Sequence, residues 1–552
     1  MIKNRTIERE PVLSEYFQDE SIHSGFLSCV EKYPNHVALT IKHQTYTYAE
    51  LDETARKWAS IILTKSDFVP QRIGIFAYRS NVSYIGVLAS LYAGAAFVPL
   101  NRKFPIERTA AMIESAALDA VIVDKESAAQ FLSILKELKR VPACVLFPDY
   151  SKTNFTTDKK VNIWDEDDLE QVNLLLNLPV YQKNRIAYLL FTSGSTGLPK
   201  GVPIAHSNAV HFLKVNQKRY HITPDDRFSQ TFDQTFDLSI FDLFMAWSNG
   251  ARVCAMEPID LLYPFKYIQE QRITIWFSVP SIAALLRKQD LLKRNSFPGL
   301  RLSLFCGEAL HRSVAEKWQE AAPNSVVENL YGPTELTIAC AVYQWKREVS
   351  PMECRNEIVP IGQVYEGLHA LIVDDDLMPV PQGMDGELCI CGPQTFPGYW
   401  NNEDETRKRM VEVKSHSGEL NMYYRTGDRV LRLSNNNMVY LGRMDHQVKV
   451  QGYRVELSEI EGILSTQPGV IMAAALAWPI HEGTAKGIVA FVTGNINTLA
   501  LTSVAKQKLP MYMVPKKIYS LKEMPLNANG KIDRKQLFQW LETRKAIEGE
   551  QG

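Results

Sequence analysis

Leu189-Leu190-Phe191-Thr192-Ser193-Gly194-Ser195-Thr196-Gly197-Leu198-Pro199-Lys200 is an apolar run that empties into four hydroxyls, two glycines and a lysine. The run reads as a strand, and its continuation as a loop that phosphate could approach closely. Small residues let backbone N–H groups reach phosphate oxygens, hydroxyls add donors, and Lys200 adds charge. The spacing is not G-x-x-x-x-G-K-[ST], so this is not a Walker A loop. The flanking sequence sets the fold class. Ile73 to Ala77 is a short apolar run ahead of the helical pattern Val82 to Ala93, and Ala120 to Val123 precedes a second helical segment, Ala128 to Leu138. That alternation predicts α/β layers with largely parallel sheets.

A chain of 552 residues is too long for one core; roughly three or four packing units sharing a cleft are expected. With 45% hydrophobic and 22% charged residues and a net charge of -1, no global basic field exists to hold nucleic acid or an anionic membrane. The opening MIKNRTIEREPVL is charged throughout and lacks a signal peptide's apolar core. No later stretch offers ~18 uncharged apolar residues, so a soluble cytoplasmic protein is expected. Eight cysteines are scattered, and the close pair Cys389 and Cys391 has neither a second pair nor histidines nearby. Reduced thiols are the expectation.

Ser151 to Gln171 is polar, with Asp165, Glu166, Asp167 and Asp168 in succession, and reads as a solvated surface excursion. From Ala370 to Leu441 short β-like pieces alternate with Gly383, Gly386, Gly392, Gly398 and Gly427, which predicts a smaller β-rich unit. After Arg443-Met444-Asp445 a new pattern begins: a strand over Gln447 to Val450, a helix over Ser458 to Gln467 and a strand over Ile488 to Thr493. A domain boundary is expected near Asp445. No internal repeat of 20 to 50 residues is present.

The string FTSGSTGLPKGV resembles the phosphate loop of the adenylate-forming superfamily: acyl-CoA ligases, luciferases and the adenylation domains of nonribosomal peptide synthetases. The resemblance continues in order along nearly the whole chain. It runs through Tyr46 to Leu51, Leu91 to Leu100, Phe236-Asp237-Leu238-Ser239, Asn329 to Glu335, Gly386-Glu387-Leu388 and Tyr424 to Asp428, and ends with Gly442 to Lys449 and Asn529 to Asp533. It implies an α/β multidomain fold. A large N-terminal domain over 1–442 would hold two α/β subdomains and a β-rich subdomain, and a small mobile α+β C-terminal domain would span 443–552.

Carboxylate attack on the α-phosphorus of ATP brings two anions together, so the site must supply cations, aligned donors and positioning. The resemblance assigns these parts. Thr192, Ser193, Gly194, Ser195, Thr196 and Lys200 would hold ATP phosphates. Thr334 would donate to the α-phosphate, and Glu335 would ligate Mg²⁺. Tyr331, beside Gly332, would stack on adenine, with Asn329 and Gly307-Glu308-Ala309 bordering the base. Asp428 would accept from the ribose hydroxyls near Arg443. Lys531 would be the catalytic lysine, bridging substrate carboxylate and ATP. Asp445 would be the hinge about which the smaller domain swings between two half-reactions. After the swing, Lys449-Val450-Gln451-Gly452 would face the site, Gly452 leaving room for a pantetheine arm.

The Phe-Asp-x-Ser form of the substrate motif resembles that of amino-acid-activating members, where the aspartate pairs with an α-ammonium. Asp237 is the residue assigned here. A fatty or aryl acid would leave that carboxylate unpaired, at roughly several kcal/mol. The other pocket positions align with Leu238, Phe241, Phe277, Leu304, Cys306, Leu330, Ile338 and Ala339, none of them charged. The lining resembles that of free-standing prolyl-activating enzymes, so L-proline is the expected substrate and valine or another small aliphatic amino acid the rival, since one methylene discriminates by only roughly 1–3 kcal/mol. Only 21 residues follow Lys531, too few for a carrier domain, so transfer to the phosphopantetheine thiol of a separate carrier protein is expected. A ligase using coenzyme A as acceptor is the alternative. A non-catalytic relative should have lost Lys531, Glu335 or Asp428, and all three are present.

Overall fold

The computed structural model describes residues 20–64, 69–179, 184–194, 199–414, 420–445, 447–481, 484–527 and 531–549. The strand of the phosphate-loop motif, Ile186–Thr192, forms a hairpin with Lys200–Ala205 at one end of a seven-stranded sheet. The strands beyond it are Ala96–Leu100, Arg72–Phe76, Ala120–Val123, Cys144–Leu146 and Asn162–Trp164, paired in parallel. Ala96–Leu100 is buried at every residue, as a parallel strand covered on both faces must be. The helix Asn81–Tyr92 is also buried nearly throughout, which explains why its sequence is apolar all round rather than along one stripe.

A second sheet of nine strands packs into the same continuous core. Its parallel centre is built from Val37–Ile41, Arg252–Ala255, Arg227–Gln230, Ile275–Ser278, Leu302–Phe305 and Val326–Tyr331, with antiparallel strands at both edges. Arg79 ties the two sheets together. Its buried guanidinium donates to the carbonyls of Thr231, at 2.6 Å, and Met256.

The β-rich unit is an antiparallel five-stranded sheet centred on Asp385–Cys391 and Leu420–Arg432. Cys389 and Cys391 lie two apart on one strand, so both reach the same face. They pack with Val373, Val413 and Tyr423, and neither is in a disulfide. From Val448 onward the chain builds cores of its own, around a three-stranded sheet of Val470–Ala477, Ile488–Gly494 and Lys517–Leu521. The helix read over Ser458 to Gln467 runs Leu457–Ser465.

Ser151 to Gln171 is not simply a solvated excursion. Asn162–Trp164 is the edge strand of the seven-stranded sheet, and Asp165 is 1% exposed. Its carboxylate forms a capping box on the short helix Glu166–Glu170 and accepts from Lys152 N at 2.8 Å. The acidic run is a helix start, which the positive end of a helix favours.

Gly362 joins the second sheet to the β-rich unit through bonds with Met438, at φ +76. A Cβ there would sit 1.9 Å from the Val342 carbonyl oxygen. Gly362→Ala should therefore cost on the order of 3 kcal/mol, read as a several-degree fall in the thermal unfolding midpoint.

Candidate active site

A cavity of about 460 Å³ opens where the carboxyl ends of the second sheet's strands meet the phosphate strand and the C-terminal unit. Open parallel sheets bind ligands at that edge. Thr192 and Ser193 border it from the phosphate strand, Gly307, Glu308 and Ala309 from the turn after Leu302–Phe305, and Asn329, Tyr331, Gly332 and Thr334 from the end of Val326–Tyr331.

On the nucleotide side, Asp428 and Arg443 face each other across antiparallel strands, and Arg443 Nη1 donates to Asp428 Oδ1 at 2.9 Å. Tyr331 OH donates to the other carboxylate oxygen. Asn329 is fixed by donation to the Pro360 carbonyl at 2.9 Å, and Glu308 accepts from Ser281 N at 2.9 Å. Gly332 is tightly placed, since a Cβ would lie 2.6 Å from Ala339 Cα.

On the substrate side, Asp237 is 5% exposed and accepts from Ile338 N at 3.1 Å. Burial pushes its carboxyl up to about 7, against hydrogen bonds from Thr334 and Ile338 that lower it. The Ile338 N–H points there because Thr337 and Ile338 both take left-handed backbone conformations, φ 59 and 72, an arrangement strained for β-branched residues. Gln394 clamps the strained turn, its amide donating to the carbonyls of Leu336, Thr337 and Ala339 while Thr337 Oγ1 donates to its backbone carbonyl. Sequence reasoning missed Gln394, because nothing in its own neighbourhood marks a partner 55 or more positions away.

Of the aligned pocket positions, Leu238, Cys306 and Leu330 line the cavity. Phe241, Phe277, Leu304, Ile338 and Ala339 do not; all are 0–1% exposed and lie in the core behind it. Phe277 packs edge-on against Phe241 at 5.0 Å and Phe232 at 4.8 Å, so aromatic rings fill space that a larger substrate side chain would need.

Lys531 is not at the site in this arrangement. It is exposed in a turn, its N–H donating to Asn527 Oδ1 at 3.0 Å, and Lys449, Gly452, Tyr453 and Arg454 border the cavity instead. Asp445 lies at the junction, accepting from Arg443, Arg409 and Gln447 N. Ser195 and Thr196, like Asn529 and Gly530, fall outside the described residues. Lys200 is buried and pairs with Glu405 at 3.4 Å and Glu456 at 3.6 Å.

Glu335 is fully buried. Burial opposes its charge, but Arg454 at 3.0 Å, a 2.7 Å bond from Tyr399 OH and the nearby Lys200 hold its carboxyl down at about 2. An ionised carboxylate at this position could ligate Mg²⁺, which needs only one or two protein carboxylates alongside phosphate oxygens. Here a guanidinium holds that position. No group of three or more metal-ligating side chains occurs among the described residues, nor is any helix among them long and apolar enough to cross a membrane.

Residues 26–400 match the family model of the AMP-binding enzymes and 459–531 that of the AMP-binding enzyme C-terminal domain. The chain belongs to this family. Gramicidin S synthase 1 of Brevibacillus brevis is 32% identical over 97% of the chain, and tyrocidine synthase 1 of Brevibacillus parabrevis 30% identical over 97%. The chain spans about half of these relatives, 46% of each. The adenylation domain AlmE of Vibrio cholerae superposes with a TM-score of 0.84 at 30% identity, covering 97% of this chain and all of that one. IdnL7 does so at 0.69 and 35%, covering 96% and 99%. Within the family, the chain is an adenylation enzyme of the nonribosomal peptide synthetase type.

An Asp237 carboxyl raised from an ordinary value near 3.9 to about 7 makes a definite pH statement. Its contribution to stability is complete below about pH 4 and is lost as pH rises through about 7, where the folded state must ionise a buried group that the unfolded chain ionises freely. Asp237→Asn should therefore gain thermal stability relative to wild type at pH 8 but not at pH 4, in paired melting curves, while losing amino-acid binding.

Proposed function

We propose that this enzyme activates a small amino acid, with L-proline the leading candidate, as aminoacyl-AMP, and passes the acyl group to the phosphopantetheine thiol of a separate carrier protein. The observation that carries the reading is Asp237, a buried carboxylate at the cavity wall that an α-ammonium would neutralise. The substrate carboxylate attacks the α-phosphorus and pyrophosphate leaves; the thiol then attacks the carbonyl carbon and AMP leaves. Mg²⁺ would neutralise phosphate charge near Glu335. Relatives that are peptide synthetases support an amino acid over a fatty acid. Leu238, Cys306 and Leu330, the uncharged aligned positions that line the cavity, support an apolar side chain, and proline's compact ring with its secondary ammonium meets both conditions.

Glycine is the second reading. AlmE was solved with glycyl-adenosine-5'-phosphate, and the Phe241–Phe277 pair leaves little depth behind Leu238. ATP–pyrophosphate exchange across proline, glycine, alanine and valine decides between them; signal only with acids lacking an amine would overturn the Asp237 argument. Comparing free coenzyme A with a holo-carrier protein as acceptor tests the destination.

The 1–442 and 443–552 units are read as two bodies that reorient about Asp445, bringing Lys531 in for adenylation and Lys449 to Gly452 in for thiol attack. Lys531→Ala should lower pyrophosphate exchange by on the order of 10² to 10³. Asp445→Pro should spare exchange but impair carrier loading; equal loss of both would count against the hinge.

A further inference from the structure

Asp237 stands at the end of a turn that the other sheet holds in place. Residues 231–236 join the strand Arg227–Gln230 to Asp237, which immediately precedes the helix Leu238–Trp247. Two side chains from the carboxyl ends of adjacent strands of the seven-stranded sheet reach this turn. Arg79, beyond Arg72–Phe76, donates to the Thr231 carbonyl. Asn101, directly after Ala96–Leu100, donates through Nδ2 to Asp233 Oδ2 at 2.5 Å. Asp233 Oδ1 accepts from Thr235 N at 2.9 Å and Thr235 Oγ1 at 2.6 Å, and the Asp233 carbonyl accepts from Phe236 N at 3.0 Å. Thr235, Phe236 and Asp237 all border the cavity. Asn101 shapes a second part of its wall as well. Its Oδ1 accepts from Lys103 N at 2.8 Å and its carbonyl from Phe104 N at 2.9 Å, and Phe104 borders the same cavity. The buried Asn101 amide thus has both ends committed, the donor to Asp233 and the acceptor to Lys103.

We propose that Asn101 and Asp233 are a positioning pair that fixes where the Asp237 carboxyl meets the amino acid's ammonium, and that the pair works because one member is an amide and the other a carboxylate. This rests on the reading that Asp237 receives that ammonium. Lys103 N and Thr235 N can only donate, so each must face an oxygen, which leaves one atom of each side chain for the bond they share. In the native pair those two atoms are an N–H donor and an oxygen. Asn101→Asp would set two carboxylate oxygens against each other, which repel. Asp233→Asn would set two amide donors against each other, and flipping either amide only moves the mismatch to Lys103 N or Thr235 N. Making both changes restores one donor and one acceptor with the bond reversed, at unchanged net charge. A turn without this bond can shift Thr235 to Asp237 relative to Phe104, and positioning lost by a small displacement weakens substrate binding steeply. The nucleotide-side residues Asn329, Tyr331 and Asp428 stand on other elements, so ATP binding should not follow.

The test is ATP–pyrophosphate exchange by the full chain, with whichever of proline, glycine, alanine and valine gives the strongest signal, and a melting curve for each variant. Asn101→Asp should raise the KM for that amino acid about ten-fold, the scale of one charge-assisted hydrogen bond, while kcat and the KM for ATP stay within about two-fold of wild type. Asp233→Asn should raise it less, because its mismatch carries no like charge. The double exchange, Asn101→Asp with Asp233→Asn, should bring the amino-acid KM back to within about two-fold of wild type, a coupling that two independent residues would not show. A double exchange that regains wild-type melting but not the amino-acid KM overturns the inference. So does a wild-type amino-acid KM in both single variants, or a KM for ATP that rises in step with that for the amino acid, as a merely structural pair would give. Should Asn101→Asp fail to fold, Asp233→Asn and the double exchange supply the same comparison. Asp237→Asn, measured alongside, separates the two claims. If it leaves the amino-acid KM unchanged, the ammonium reading falls and this inference with it; if it raises that KM or abolishes exchange while neither Asn101→Asp nor Asp233→Asn has an effect, this inference falls alone.

Discussion

A carboxyl sealed from water, held by hydrogen bonds from the Ile338 N–H and Thr334 and with no cation among the causes that set its charge, is the constraint around which this site is arranged. Asp237 reaches Ile338 N–H only because two consecutive residues accept left-handed backbone conformations, and they hold those conformations because Gln394 satisfies the carbonyls turned outward. Three groups from distant parts of the sequence therefore combine to leave one charge unbalanced. Burial of that kind is costly unless it is paired, which is why the amino-acid reading proposed above rests on this residue.

The same logic operates, with opposite sign, where the two units meet. Arg454, Glu335, Lys200, Glu456, Glu459 and Arg108 are all largely withdrawn from solvent and all paired. Breaking a buried pair by removing one member is far more costly than replacing that member with another ion of the same sign. Aromatic contact does contribute, through Tyr453 against Phe236 at 4.7 Å and stacked on Tyr512 at 3.8 Å, and it lies beside the ionic patch rather than replacing it.

Much of this was legible in the sequence because it is local. The strand that ends in Thr192 and the alternation that gives parallel sheets follow from short patterns, while the nearness of Asp428 and Arg443 was implied by the family resemblance. The pocket floor was less legible. Aligning positions to motifs identified Leu238, Cys306 and Leu330 at the wall, but whether Phe241 and Phe277 face a substrate or each other depends on Phe232, a third ring that no motif contains. Asp165 misled for a related reason: four acidic residues in a row look solvated until a helix start and Lys152 account for the first of them.

Lys531 is where the sequence reading and the described arrangement differ, since it lies away from the cavity. One cavity cannot be bordered at once by the turn carrying Lys531 and by the segment from Lys449 to Arg454, since both belong to one small unit with its own core. The sequence carries both sets of residues without saying which is in place. In the described arrangement Ser193, Gly194 and Lys200 meet that unit's own carboxylates and carbonyl, with Glu405 a second partner of Lys200.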